Sequence, residues 1–86
     1  MKEYKPIACV LHEQYQFAVM RKYRLELDWE DGSGVRRREK LLPVDVVTRQ
    51  GAEYLVVVTG PAERMQIRLD QIRQAFWADN GQRLEG

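Results

Sequence analysis

Apolar residues recur on one helical face from Val10 to about Arg21. Leu11, Tyr15, Ala18 and Val19 fall at i, i+4, i+7 and i+8, and Val10 and Phe17 widen the stripe. His12, Glu13, Gln14 and Gln16 supply the polar side of this short helix, which has no Ser, Asp or Asn cap. The preceding residues include Pro6 and read as extended, because proline disfavours helix at the residue before it. The period then switches to two. Tyr23, Leu25, Leu27 and Trp29 alternate with Arg24, Glu26 and Asp28, as in a half-buried strand. The run Glu30-Asp31-Gly32-Ser33-Gly34 is a hairpin turn, since glycine tolerates the positive φ that such turns demand.

A return strand follows from Val35 to about Leu42, and Pro43 is expected to break it. Val44, Val46 and Val47 begin a third strand that ends at the Arg49-Gln50-Gly51 turn. Glu53 to Thr59 carries a continuous apolar run, as expected of a central strand covered on both sides. After Gly60-Pro61, Met65, Ile67 and Leu69 alternate with Gln66 and Arg68, and a bend at 70–72 leads to a closing strand through Phe76 and Trp77. One helix and five or six short antiparallel strands predict a mainly β domain: a strongly bent sheet rolled into a small SH3-like/Sm-like barrel, with the helix over one end or face. The expected domain covers residues 1–78, and 79–86 read as a polar, flexible C-terminal tail.

Length fits this picture. The chain has 86 residues, enough for one small domain and too few for a deep internal active site. Its single cysteine, Cys9, permits no intrachain disulfide, which suits a reducing compartment. The start of the chain has no apolar run of signal-peptide length, and no segment approaches the ~20 apolar residues of a membrane span. A cytoplasmic location is therefore expected. Catalytic parts are sparse: one His, one Ser and two Thr, with no CxxC, HExxH or phosphate-binding glycine loop. Cys9 and His12 cannot supply a zinc site alone. They read as a small core residue and a partly exposed polar one. No enzyme activity, cofactor, metal or small-molecule substrate is expected.

The chain resembles the Rof family, the bacterial Rho-binding antiterminators that inhibit Rho-dependent transcription termination. The resemblance rests on an ordered set of pieces. They are Tyr4-Lys5-Pro6-Ile7-Ala8-Cys9, Leu25-Glu26-Leu27 leading to Asp31-Gly32, Asp45-Val46-Val47-Thr48-Arg49, Glu53-Tyr54-Leu55-Val56-Val57 and Arg68-Leu69-Asp70-Gln71-Ile72. The family implies an Sm-like barrel with an N-terminal helix. It also implies a steric mechanism, in which the protein docks on the N-terminal RNA-binding domain of Rho and RNA cannot load. Carried over by position, Glu13 matches an acidic helix position, Arg49 a basic turn residue, and Gln50 and Gly51 occupy the same turn. Val10, Leu11 and His12 stand where family members carry acidic residues. On the residues alone, Glu13 reads equally as a solvated helix residue, and Arg49 as a turn arginine pairing with a nearby carboxylate.

Charge distribution supports a rival reading. Lys and Arg number 14 against 13 Asp and Glu, for a net of +1. Residues 21–40 nevertheless hold seven cations against five carboxylates. Arg36, Arg37, Arg38 and Lys40 are the candidate contacts of a small Sm-like RNA-binding protein, with Trp77 the best candidate for an exposed stacking ring. Alternatively, the first two strands pair so that these arginines face Glu26, Asp28 and Glu30, giving a salt-laced sheet face. A structural Sm-like assembly module is the third alternative, although a monomer is favoured over an oligomer.

Overall fold

The computed structural model describes residues 3–84. Helix α1 spans Cys9–Arg21, starting one residue earlier than the apolar stripe. Its N-terminus has no side-chain cap, and its last turn ends at Lys22, which sits in the left-handed region at φ 59°. The N–H of Tyr23 reaches the Ala18 carbonyl at 3.0 Å, a Schellman-type closure in which Lys22 stands where glycine is usual.

Five strands follow: β1 (Leu25–Glu30), β2 (Arg36–Arg49), β3 (Ala52–Gly60), β4 (Glu63–Arg68) and β5 (Ile72–Trp77). They form one antiparallel sheet in the order β4-β3-β2-β1-β5. The strand order puts β4 and β5 at opposite ends of the sheet. A single 3-10 turn, Leu69–Gln71, nevertheless joins them. The sheet must therefore curl until its ends meet, which makes it the small SH3-like/Sm-like barrel expected.

The curl depends on β2, and here the expectation of a break at Pro43 is corrected. The strand is continuous over 14 residues and bends instead. Its first half pairs with β1, and its second half pairs with β3. At the junction Pro43 faces Val57 and Asp45 faces Val56, leaving Val44 as the extra residue of a bulge. Proline has no N–H to give to a ladder, so a bulge is where a strand tolerates it. One strand thereby serves both halves of the barrel.

The core lies inside the curl. Leu25, Leu27 and Trp29 from β1, Leu55 and Val57 from β3, and Ile67 from β4 are fully buried beneath Tyr15 and Ala18 of α1. Tyr23 was expected to extend the inner face of β1. It precedes the strand and is 44% exposed.

The tail is the second correction. Residues 79–84 turn back along β5. The Leu84 N–H bonds the Ala75 carbonyl at 2.8 Å, and the Trp77 N–H bonds the Gln82 carbonyl at 2.8 Å. Leu84 itself is buried in the core. One apolar residue in a polar stretch thus extends the domain past residue 78, and the segment covers the free edge of β5. Residues 85 and 86 of the expected tail lie outside the described residues.

Candidate functional site

The partner-binding residues implied by the resemblance fall at one end of the barrel. The β2–β3 turn has two central residues, Gln50 at φ 51° and Gly51 at φ 79°, the signature of a type I′ hairpin. Two residues on, Glu53 accepts a 2.6 Å contact from Nε2 of His12, which ties α1 to the start of β3. An open cleft of about 410 Å³ lies beside this contact, with Tyr4, Ile7, Cys9, His12, Glu13 and Glu53 among its lining residues. Glu13 is thus in the cleft. Arg49, Gln50 and Gly51 are beside it and not inside it: Arg49 pairs with Ala52 and Glu53 with Thr48, so successive residues face opposite sides of the sheet. On that other side Arg49 donates to Gln66 Oε1 at 2.7 Å and lies 6.0 Å over the Tyr54 ring. Its partner is an amide and a ring in place of the expected carboxylate. Cys9, expected in the core, is exposed at the first turn of α1.

The N-terminal segment anchors the cleft. Arg68 and Asp70 form a two-pronged ion pair at 2.7 Å and 2.7 Å, with side chains only 7% and 10% exposed. The Lys5 N–H donates to Asp70 Oδ2 at 2.9 Å, and the Arg68 guanidinium lies 5.6 Å over the Tyr4 ring. The hydrogen bond from Arg68 holds the Asp70 carboxyl below the usual carboxylate range, although burial opposes this. The buried Tyr4 hydroxyl has no hydrogen-bond partner among the described residues. Burial first, then the Glu53 and Asp70 carboxylates, push its pKa up.

The first hairpin presents the candidate RNA contacts in a different state. Leu25, Leu27 and Trp29 point inward, so Glu26, Asp28 and Glu30 point outward, opposite Lys40, Arg38 and Arg36. Each arginine reaches one step diagonally. Arg36 donates three bonds to Asp28 at 2.8–3.2 Å, and Arg38 donates two to Glu26 at 2.6–2.8 Å. Arg37, on the alternate face, turns to Asp31 at 2.9 Å. Asp31 also accepts from the Ser33 hydroxyl at 2.6 Å and from the N–H groups of Ser33 and Val35. These bonds, the Ser33 hydroxyl foremost and then Arg37, hold its carboxyl far below the ordinary range. Arg38 further lies 5.2 Å over the Phe76 ring. Three of the four candidate RNA-binding cations are therefore already matched to carboxylates, and Lys40 stands exposed among them.

A third feature escaped the sequence reading. Phe17 near the end of α1, Tyr23 after it and Trp77 at the end of β5 form an aromatic cluster. Ring centroids are 5.7–6.2 Å apart, and Trp77 stands edge-on to both others. Phe17 and Tyr23 are the exposed rings, at 43% and 44%. Trp77, expected to be the exposed one, is half-buried behind them and packs on the core.

Among the described residues, no three His, Cys, Asp or Glu side chains converge on a position that could hold a metal ion. None of the described helices is long and apolar enough to cross a membrane. No protein-family model matches the chain, and no curated protein matches it.

Proposed function

We propose that this chain is a non-catalytic regulator that docks on the N-terminal RNA-binding domain of transcription termination factor Rho and blocks RNA loading. One observation carries the reading. Three of the pieces that resemble the Rof family, far apart in sequence, meet at the same end of the barrel. Tyr4 and Lys5 of the first piece contact Arg68 and Asp70 of the last. Glu53, which opens the EYLVV piece, lines the same cleft as Tyr4 and receives His12 from α1. The shared segments thus build one surface. Of the implied contacts, Glu13 lines this cleft, Gln50 and Gly51 form the adjoining turn, and the Arg49 side chain lies across the sheet from Glu53. A site that holds RNA must be basic, and Glu13 beside Glu53 gives the cleft carboxylates that complement it. With a net charge of only +1, shape and these local contacts carry the encounter.

The rival site draws less support, because Arg36, Arg37 and Arg38 are engaged by Asp28, Asp31 and Glu26. A calorimetric titration of the chain into the Rho N-terminal domain tests the proposal. Saturable binding is expected, weakened by Glu13→Lys and by Arg49→Ala. No heat of binding at micromolar concentrations of both proteins overturns it.

A further inference from the structure

The end of α1 carries cations of a different kind from those of the hairpin. Arg21, Lys22 and Arg24 are exposed, and none has a carboxylate within ion-pair distance among the described residues. The Arg21 guanidinium lies 5.5 Å over the Phe17 ring instead. The left-handed Lys22 and the Schellman closure swing the chain from α1 into β1, so the three cations are grouped around that corner. Two carbonyls at the helix end, those of Ala18 and Val19, are already bonded by the N–H groups of Tyr23 and Lys22. The same corner bears Phe17, Tyr23 and Met20, the last 76% exposed. Exposed rings beside unmatched cations suit a flexible polyanion that carries flat π-faces of its own.

We propose that this corner binds single-stranded nucleic acid, with bases stacking on Phe17 and Tyr23 and backbone phosphates pairing with Arg21, Lys22 and Arg24. Trp77 backs the platform: its edge-on packing holds both rings, and the Ala78 N–H bonds the Arg24 carbonyl at 3.1 Å, fixing the start of β1 against the end of β5. A second copy of the chain is a poor occupant. A two-fold interface here would set Arg21, Lys22 and Arg24 against their own counterparts. The surface uses none of Glu13, Arg49, Gln50 or Gly51, so this proposal and the Rho reading can fail separately.

The test is fluorescence anisotropy of a labelled oligouridylate of about 12 nucleotides titrated with the full chain at several salt concentrations. Binding that weakens with salt is expected. The pair Lys22→Asn and Arg24→Gln removes charge while asparagine tolerates the left-handed position. It should lower the slope of log affinity against log salt by about 0.7 for each cation removed. Tyr23→Leu keeps the site apolar and should lose at least about fivefold in affinity. Unchanged midpoints of thermal melting confirm that these variants fold. The variant Arg36→Ala, Arg37→Ala, Arg38→Ala should retain binding. No anisotropy change at low salt overturns the proposal. So does equal binding by all variants, loss confined to the hairpin variant, or capture of polyglutamate in place of the oligonucleotide.

Discussion

The two basic stretches of this chain look alike when counted and differ when folded. Arg36 to Arg38 and Arg21 to Arg24 each place three cations within four residues or fewer. In the hairpin, strand alternation puts Arg36 and Arg38 on the face that carries Glu26, Asp28 and Glu30, the turn supplies Asp31 to Arg37, and every guanidinium finds a carboxylate. At the end of α1 the cations are exposed, none has a carboxylate within ion-pair distance among the described residues, and Arg21 lies over the Phe17 ring. A cation is available to a partner only where the fold brings no free carboxylate to it. Register and turn geometry decide that, and composition does not.

The comparison can be sharpened by asking what each region contributes to folding. The hairpin is held from beneath, so Trp29→Ala, 2% exposed, should destabilise by about 3–5 kcal/mol in urea unfolding. Arg36→Ala on the solvent side should leave the urea midpoint almost unmoved, because exposed ion pairs contribute little. A large loss from Arg36→Ala would break the contrast between apolar underside and salt-laced surface.

The buried pair sets a middle case. Asp70→Ala removes hydrogen bonds to Arg68 and to the Lys5 N–H, and should cost about 1.5–3 kcal/mol. Its carboxyl is held below the usual range in the folded chain, so the stability it supplies is present above the unfolded pKa, near 4, and is lost as pH falls through the folded value. A melting series from neutral to acid pH checks this. The wild-type advantage over Asp70→Ala should shrink on acidification.

Smaller effects are expected at the turn and the helix contact. Gly51→Ala meets no neighbour within 4 Å, but at φ 79° it is strained, and about 1–2 kcal/mol should be lost. His12→Ala, which unties α1 from Glu53, should cost about 0.5–1.5 kcal/mol. It should leave oligouridylate binding unchanged, since the aromatic corner lies at the other end of the helix.

Much of the fold was legible because period and turn chemistry agree. The alternation at Leu25, Leu27 and Trp29, the apolar run through Val58 and the Gly32–Gly34 turn each fix an element by local means. What escaped depends on long-range geometry. Pro43 reads as a stop, and only the barrel's need for a corner makes it a bulge. Leu84 is one apolar residue among polar ones, with no period to announce that it is buried. Phe17 was legible in part. Two helical steps rotate about 200°, so Phe17 cannot share the face of Tyr15, and a stricter wheel puts it outside the core stripe. That it meets Tyr23 and Trp77 is set by the left-handed Lys22, and lysine gives little warning of such a conformation. Of the residues implied by the resemblance, Glu13 was matched only to an acidic helix position, and the fold brings it into the cleft. Its neighbour Glu53, which belongs to the EYLVV piece but was not singled out as a contact, follows from the β2–β3 register and the reach of His12.

The most direct measurement is displacement of labelled RNA from Rho by this chain, run with the Lys22→Asn, Arg24→Gln variant so that capture of free RNA by the aromatic corner cannot imitate it. Release of RNA by the variant as well as by the wild type, and its loss on Glu13→Lys, is the expected result. RNA that stays on Rho while the chain is present at saturating concentration would contradict the account.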